Sequence, residues 1–171
     1  MQTRRRRSKG GNGPLAGARI LLFVTGGIAA YKSASLVRLL RRAGASVRVV
    51  MTAGAVRFVQ PLTFDVLSEH PVCTDVFESP DGGGVRHIEL ANWADAAVVA
   101  PATADLLAKA AAGIADDLAT TTILALRAPL LIAPSMNEAM WVSAPVRRNV
   151  ERLAADGRRF VEPGTGHLAC G

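Results

Sequence analysis

The sequence predicts an α/β fold in which helices cover both faces of a doubly wound, parallel sheet, in three layers. Apolar runs of strand length alternate along the chain with segments whose apolar residues recur at helical spacing. A glycine-containing turn joins the first run to the first helical segment. Strands that are apolar throughout are buried on both faces, and their alternation with helices is typical of parallel sheets.

The first strand, turn, helix and second strand form the clearest unit. Arg19–Val24 is apolar after its first residue, and Thr25–Gly27 follows it directly. Apolar residues then recur at positions 30, 34, 37 and 40, which predicts a helix that Gly44 is placed to end. The second strand is predicted at Ser46–Met51.

The same alternation continues to the end of the chain, interrupted by a predicted loop at Ser79–Gly84. Three further strands are predicted at Asp95–Ala100, Pro129–Ala133 and Arg158–Val161. Three further helices are predicted at Ala104–Ala112, Asp117–Leu126 and Pro145–Asp156.

Length and composition indicate one domain with a sizeable core, because half of the 171 residues are hydrophobic. Arg4–Arg7 and Lys9 carry most of the net charge of +6, and residues 1–13 contain no acid. We therefore expect a basic, flexible tail at 1–13 and one domain at 14–171. A solvated leader is the favoured interpretation of the tail, and an arm that binds RNA or a membrane is the alternative.

Other classes of protein find little support in the sequence. No run approaches the roughly 18 apolar residues of a membrane span. Cys73 and Cys170 form neither a disulfide framework nor the spacing of metal ligands. We expect a cytoplasmic protein with no metal site and with neither a membrane nor a nucleic acid as partner.

Three predicted strand ends carry groups suited to a phosphate and its sugar chain. Glycines allow backbone N–H groups to approach an anion, and a following helix N-terminus attracts negative charge. The turn after the first strand lacks the third glycine of GxGxxG and the Walker A spacing. A mononucleotide site is the sharper interpretation, whereas a tight turn between packed elements and simple helix capping are the alternatives. The candidate residues are Gly26, Gly27, Ile28, Ala29, Thr52, Pro101, Ala102 and Thr103.

The segment Pro134–Trp141 is poorly explained by packing alone. It follows a predicted buried strand and presents Asn137 between Met136 and Met140. One amide among soft apolar side chains suits a site that orients a small polar group beside a flat ring.

Other candidates also have a structural alternative. Asp116 and Asp117 begin a predicted helix, where acids are favoured, but they could also contact a ribityl chain or ring edge. His87 follows the predicted loop and is either a surface residue or an acid/base group. Cys170 lies in a glycine-rich stretch typical of a lid, or it is an incidental free thiol.

Together these residues resemble the flavin-containing cysteine decarboxylases, from about Ala18 to Gly171. The matching motifs are Gly-Gly-Ile-Ala-Ala-Tyr-Lys at 26–32, His-Ile at 87–88, Ala-Pro-Ala-Thr-Ala-Asp at 100–105, Gly-Ile-Ala-Asp-Asp-Leu at 113–118, Pro-Ser-Met-Asn-Glu-Ala-Met-Trp at 134–141 and Ala-Cys-Gly at 169–171. The resemblance implies a Rossmann-like, flavodoxin-type fold, tightly bound FMN, and assembly into homotrimers or dodecamers.

The resemblance also implies a reaction on a cysteine carboxylate. Oxidation of the carbon that bears the thiol, with FMN accepting the hydride, gives a thioaldehyde, and this electron sink lets CO₂ leave as an enethiolate forms. His87 is implied as the acid/base residue and Asn137 as the group that holds the carboxylate. Met136 is implied beside the flavin or substrate, and Met140 and Ala169 in substrate binding.

Cys170 helps to distinguish between the possible substrates. In the coenzyme A branch of the family, the matching cysteine donates a proton as the product is reduced to a saturated thiol. The resemblance therefore favours conversion of phosphopantothenoylcysteine to phosphopantetheine. Oxidative decarboxylation of a C-terminal peptidyl cysteine to an enethiol, in ribosomal peptide maturation, is the alternative, and a non-catalytic flavin-binding regulator is the alternative from another class.

Overall fold

The computed structural model describes residues 13–77 and 85–162. Numbered along the chain, the strands are β1 (Arg19–Val24), β2 (Ser46–Met51), β3 (Ala96–Ala102), β4 (Leu130–Pro134) and β5 (Arg159–Phe160). The helices are α1 (Ala30–Arg42), α2 (Ala53–Val56), α3 (Pro61–Ser68), α4 (Arg86–Trp93), α5 (Ala104–Ala112), α6 (Leu118–Ala125), α7 (Glu138–Trp141) and α8 (Ala144–Ala155).

The strands of the described residues form one sheet in the order β2-β1-β3-β4-β5, and every neighbouring pair is parallel. The chain therefore winds from β1 to one side at β2, and then to the other side through β3, β4 and β5. The predicted doubly wound, parallel α/β fold is confirmed. Between β1 and β3 the winding reverses, and ligands of open α/β sheets bind at such switch points.

Two apolar cores lie on the two faces of the sheet, because successive side chains of a strand point to opposite faces. The side chains at even positions of β1 share one core with α1 and α3, which contribute Val37 and Phe64. The side chains at odd positions share the other core with α5, α6 and α8, which contribute Leu107, Leu118 and Leu153. The result is the predicted three-layer arrangement.

The predicted strands and helices agree with the structure to within one or two residues, with one extension at β3. This strand was expected to end at Ala100, but it continues through Pro101 to Ala102. Its register against β4 shifts between Val99 and Ala102. Because proline lacks a backbone N–H and cannot donate to the ladder, an irregularity at this point accommodates it.

Four short helices were not predicted: α2, α3, α4 and α7. The helices α2 and α7 have four residues each, too few to show a helical period. In α3 the buried positions are Phe64 and Ser68, and in α4 they are Leu90 and Ala91. Two buried positions do not establish a pattern that sequence can reveal. None of the helices in the two described stretches has the length and apolar character needed to cross a membrane.

Candidate functional site

The carboxyl ends of four strands meet along one edge of the sheet. The turn after β1 lies between the ends of β2 and β3, and the end of β4 follows beside β3. Each end carries residues that the sequence analysis selected, which are Gly26 and Gly27, Thr52, Thr103, and Met136 with Asn137. The topology therefore brings these predicted residues to one edge.

Thr25 joins the first and third of these strand ends, and the sequence analysis did not select it. Its side chain is 1% exposed. The hydroxyl donates a hydrogen bond to the Pro101 carbonyl (2.6 Å) and accepts one from the Thr103 backbone N–H (3.1 Å). A hydroxyl directly after an apolar strand was the available signal, but its partners lie 76 and 78 residues away along the chain.

A second hydroxyl, that of Ser33, fixes α1 to β3. Ser33 is 2% exposed and donates to the Ala100 carbonyl (2.6 Å). It lies in the first turns of α1, so this bond holds the N-terminal part of that helix against the sheet. Ser33 was also missed, because a serine inside a helical pattern gives no sign of a distant carbonyl partner.

Gly26 is required by a close approach of two backbones. A Cβ atom added to Gly26 would lie 2.8 Å from both the Cα and the carbonyl carbon of Gly54, which belongs to α2. A Cβ added to Gly27 would instead lie 3.6 Å from Thr103 Cγ2 and 3.9 Å from Pro101 Cγ, which are ordinary contacts. Gly26 therefore lets the turns after β1 and β2 touch, whereas Gly27 lies against the end of β3.

Replacing Gly26 by Ala is expected to destabilise the protein by about 2 kcal/mol, because the backbone of Gly54 must move. Thermal unfolding followed by circular dichroism measures the change. Gly27→Ala is the matched control and is expected to unfold at nearly the temperature of the unsubstituted protein. Equal stability of the two variants would show that the contact between Gly26 and Gly54 does not constrain the turn.

Both threonines predicted at strand ends are helix caps. The Thr52 hydroxyl accepts from the Ala55 N–H, and the Thr103 hydroxyl accepts from the Leu106 N–H, each at 3.3 Å. By contrast, the N-cap residue of α1 is Ala29, which supplies no side-chain hydrogen bond. The positive end of a thirteen-residue helix without a side-chain cap favours an anion, so the turn at 26–29 is the better candidate for holding a phosphate.

The end of β4 is fixed to β3 before the chain turns away. The Ser135 N–H donates to the Ala102 carbonyl (3.0 Å), and Met136 packs against the core that contains α5 and α8. Asn137 is exposed, and its Oδ1 accepts from the Ala139 N–H (2.8 Å), which caps α7. The carbonyl half of this amide is thus occupied, and its NH₂ half is the part suited to an incoming acceptor.

Met140 and Trp141 complete the segment in different surroundings. Met140 is 46% exposed, so the core does not account for it. Trp141 packs partly against the core, and the guanidinium of Arg147 lies 5.4 Å from the centre of its ring. The predicted contact of Met140 with the substrate stays a prediction.

Asp116 and Asp117 have structural partners at the start of α6. Asp117 caps the helix in a capping box with Thr120, accepting from its N–H at 2.7 Å. Asp116 forms an ion pair with Lys109 (3.0 Å), and this hydrogen-bonded ammonium holds the pKa of the carboxyl below its usual value. These contacts match the structural alternative, and the predicted cofactor contact of the two acids stays a prediction.

His87 lies in the first turn of α4, after the predicted loop. It is half-buried, and its Nδ1 atom is buried without a hydrogen-bond partner among residues 13–77 and 85–162. A buried imidazole nitrogen without a partner is costly, so such an atom is a candidate for contact with a ligand. The neighbouring Arg86 donates to the Cys73 Sγ atom (3.1 Å), and Cys73 bridges to Val50 of β2. The first turn of α4 is thereby linked to β2.

Several predicted features lie outside the described residues. These are Cys170 and Ala169, the loop residues Ser79–Gly84, and the tail before Gly13. Their predicted roles are neither supported nor opposed by the contacts above.

Residues 10–171 match the family model described as Flavoprotein. The chain is 52% identical over 152 residues to the Coenzyme A biosynthesis bifunctional protein CoaBC of Bacillus subtilis (strain 168), covering 89% of this chain and 37% of that protein. It is 46% identical over 157 residues to CoaBC of Escherichia coli (strain K12), covering 92% of this chain and 39% of that protein. The chain thus spans less than two fifths of these relatives.

Solved structures give the same grouping. The FMN-dependent cysteine decarboxylase SpaF matches with a TM-score of 0.83 and 42% identity, covering 88% of this chain and 87% of SpaF. A PPC decarboxylase mutant complexed with pantothenoylaminoethenethiol matches with a TM-score of 0.78 and 33% identity, covering 90% and 86% of the two chains. The family expected from the sequence motifs is confirmed, and the chain belongs to the Flavoprotein family.

Proposed function

We propose that this chain is an FMN-dependent decarboxylase that converts phosphopantothenoylcysteine to phosphopantetheine. The observation that carries the proposal is the amide of Asn137, whose carbonyl oxygen is used in capping α7 and whose NH₂ group is exposed at the site edge. The similarity to CoaBC proteins and to a PPC decarboxylase supports the choice of substrate. The chain spans only part of the CoaBC proteins. The proposed activity is therefore that of this chain, and no activity of the rest of a CoaBC protein is assigned to it.

The edge of the sheet fits FMN in two respects. The contact between Gly26 and Gly54 leaves backbone rather than side chains at the turn, and α1 begins without a side-chain cap. Residues 26–29 would hold the phosphate, and Thr52, Pro101, Ala102 and Thr103 would line the ribityl chain and ring, with Asp116 and Asp117 near the ring edge. When bound, FMN would supply a two-electron acceptor for the carbon that bears the substrate thiol, and it would return the same two electrons for the saturated product.

The side chains then have distinct tasks. Asn137 donates its amide N–H to the substrate carboxylate and orients it for loss of CO₂. His87, whose Nδ1 atom has no hydrogen-bond partner among the described residues, takes and returns the proton of the substrate thiol. Met136 packs beside the flavin or substrate, and Met140 and Ala169 contact the substrate. Cys170 donates the proton that completes the saturated product.

Turnover tests the proposal directly. The purified yellow protein is incubated with phosphopantothenoylcysteine and, separately, with peptides that end in cysteine, and loss of CO₂ is sought by mass spectrometry. Decarboxylation of phosphopantothenoylcysteine is the expected result. Turnover of the peptides alone would favour the second candidate, a peptidyl-cysteine decarboxylase, which the likeness to SpaF supports. If neither substrate is consumed while FMN is bound, the non-catalytic flavin-binding alternative replaces the enzyme.

Replacing Cys170 by Ser is expected to change the product rather than to stop decarboxylation. A serine hydroxyl is a much weaker proton donor than a thiol, so the oxidised enethiol should accumulate in place of the saturated thiol. Mass spectrometry distinguishes the two products, because their masses differ by two hydrogen atoms. An unchanged product and rate would exclude Cys170 as the proton donor and would favour the peptide substrate.

We also propose a cytoplasmic homotrimer or dodecamer, with 14–171 as the catalytic domain and 1–13 as a basic tail outside it. Exposed apolar side chains on α3, Leu62 (68% exposed) and Val66 (69%), support self-association. Light scattering of the holoprotein gives the mass of the assembly, and a monomer at micromolar concentration would contradict the proposal.

A further inference from the structure

We propose that Arg86 is a positioning residue, whose hydrogen bond to Cys73 fixes the first turn of α4 to β2 and so sets the position of the His87 imidazole. The inference rests on the proposed acid/base role of His87. It concerns a pair of side chains to which neither the motifs nor the proposed mechanism gives a task.

Cys73 provides a fixed point. It is 4% exposed. It lies beside β2 and forms an isolated parallel β-bridge with Val50 of that strand. Its backbone is held on both sides, because its N–H donates to the Val49 carbonyl (3.0 Å) and its carbonyl accepts from the Met51 N–H (3.0 Å). The sulfur therefore has a defined position relative to Thr52, which directly follows β2 at the site edge.

The first turn of α4 depends on Cys73 for its attachment to β2. Val85, which precedes the helix, supplies no side-chain cap. The apolar anchors of α4, Leu90 and Ala91, lie a full turn after His87. In the described part of the chain, the bond from Arg86 Nη2 to Cys73 Sγ (3.1 Å) is the side-chain hydrogen bond that attaches this turn to another element. Since Arg86 and His87 are adjacent, a displacement of one carries the other.

The link is a hydrogen bond to a neutral thiol. Burial raises the pKa of Cys73, and the nearby Arg86 and Arg48 only partly offset this effect. A serine hydroxyl can accept the same hydrogen bond, whereas a valine of similar shape cannot. If Cys73 acted only through packing, Cys73→Val would keep more activity than Cys73→Ser, because valine suits a buried site better than serine. The two substitutions therefore separate positioning from packing.

The experiment uses the FMN-loaded protein and phosphopantothenoylcysteine. Failure of the unsubstituted protein to turn over would count against the proposed function and not against this link. Cys73→Val and Arg86→Ala are each expected to lower kcat roughly 10-fold or more, with KM and FMN content little changed, because small misplacements of reacting groups are costly. Cys73→Ser is expected to retain most of kcat. The double variant Cys73→Val with Arg86→Ala is expected to lose no more than either single variant.

Arg48→Ala is the matched control, since Arg48 lies near the same thiol but stacks on Trp93, 4.7 Å from its ring centre. It is expected to leave kcat unchanged. An NMR readout of the His87 Cε1–H signal, which needs no turnover, is expected to shift in Arg86→Ala and in Cys73→Val but not in Cys73→Ser. Should Cys73→Val fail to fold, Arg86→Ala carries the same measurements. An unmoved His87 signal, or equal losses of kcat in Cys73→Ser and Cys73→Val, would overturn the proposal.

Discussion

Replacing Asn137 by Asp is expected to lower the rate of decarboxylation by at least about 100-fold while FMN stays bound. The substitution removes the amide N–H that is proposed to hold the substrate carboxylate and places a negative charge opposite it. The fold should tolerate the change well. An aspartate oxygen can accept from the Ala139 N–H as Asn137 Oδ1 does at 2.8 Å, and aspartate caps helices as well as asparagine.

Steady-state kinetics, the flavin absorbance of the purified protein and its unfolding temperature together test this expectation. Glu138→Gln is a suitable control, because it changes an exposed neighbouring charge without altering the cap. Loss of FMN from Asn137→Asp would mean that Asn137 supports the cofactor or the fold. Near-normal turnover would remove Asn137 from carboxylate binding and would withdraw the main support for the proposed function.

Replacing Thr25 by Val is expected to destabilise the protein by about 3 kcal/mol and to weaken FMN binding. The shape of the side chain is nearly unchanged, but the Pro101 carbonyl loses its donor and the Thr103 N–H loses its acceptor. Both groups lie at the end of β3, where water cannot replace a hydroxyl that is 1% exposed. Denaturant unfolding of the protein without FMN measures the free energy, and flavin fluorescence measures cofactor release.

Thr122→Val provides the matched control. Thr122 is also fully buried, and its hydroxyl donates to the Leu118 carbonyl (2.6 Å). That carbonyl is within α6 and accepts a helical N–H as well, so removal of the hydroxyl leaves it partnered. Thr122→Val is expected to lower the free energy of unfolding clearly less than Thr25→Val does. Equal losses of unfolding free energy in the two variants would mean that the hydrogen bonds of Thr25 to the end of β3 contribute no more to stability than an ordinary buried threonine.

Much of the fold is readable from local patterns. The bounds of β1 and β2 follow from continuous apolar runs, and those of α5 from a helical run between Thr103 and Gly113. The short helices α2 and α7 were missed because each is defined by a capping side chain, Thr52 or Asn137, rather than by a period. The sequence also predicted Asn137 as a ligand-binding residue, but it did not reveal that half of the amide is engaged in the cap.

The sequence by itself determined the α/β class, the order along the chain of the strands β1–β5 and of the helices α1, α5, α6 and α8, and the residues at the strand ends, since all of these depend on side chains close together along the chain. Only the tertiary structure decided how those ends join. The bonds of Thr25 to the end of β3, the contact of Gly26 with Gly54, and the link of Arg86 to Cys73 connect separate segments. Such contacts depend on which elements become neighbours in the sheet, and a hydroxyl, glycine or guanidinium looks the same in sequence whatever partner folding gives it.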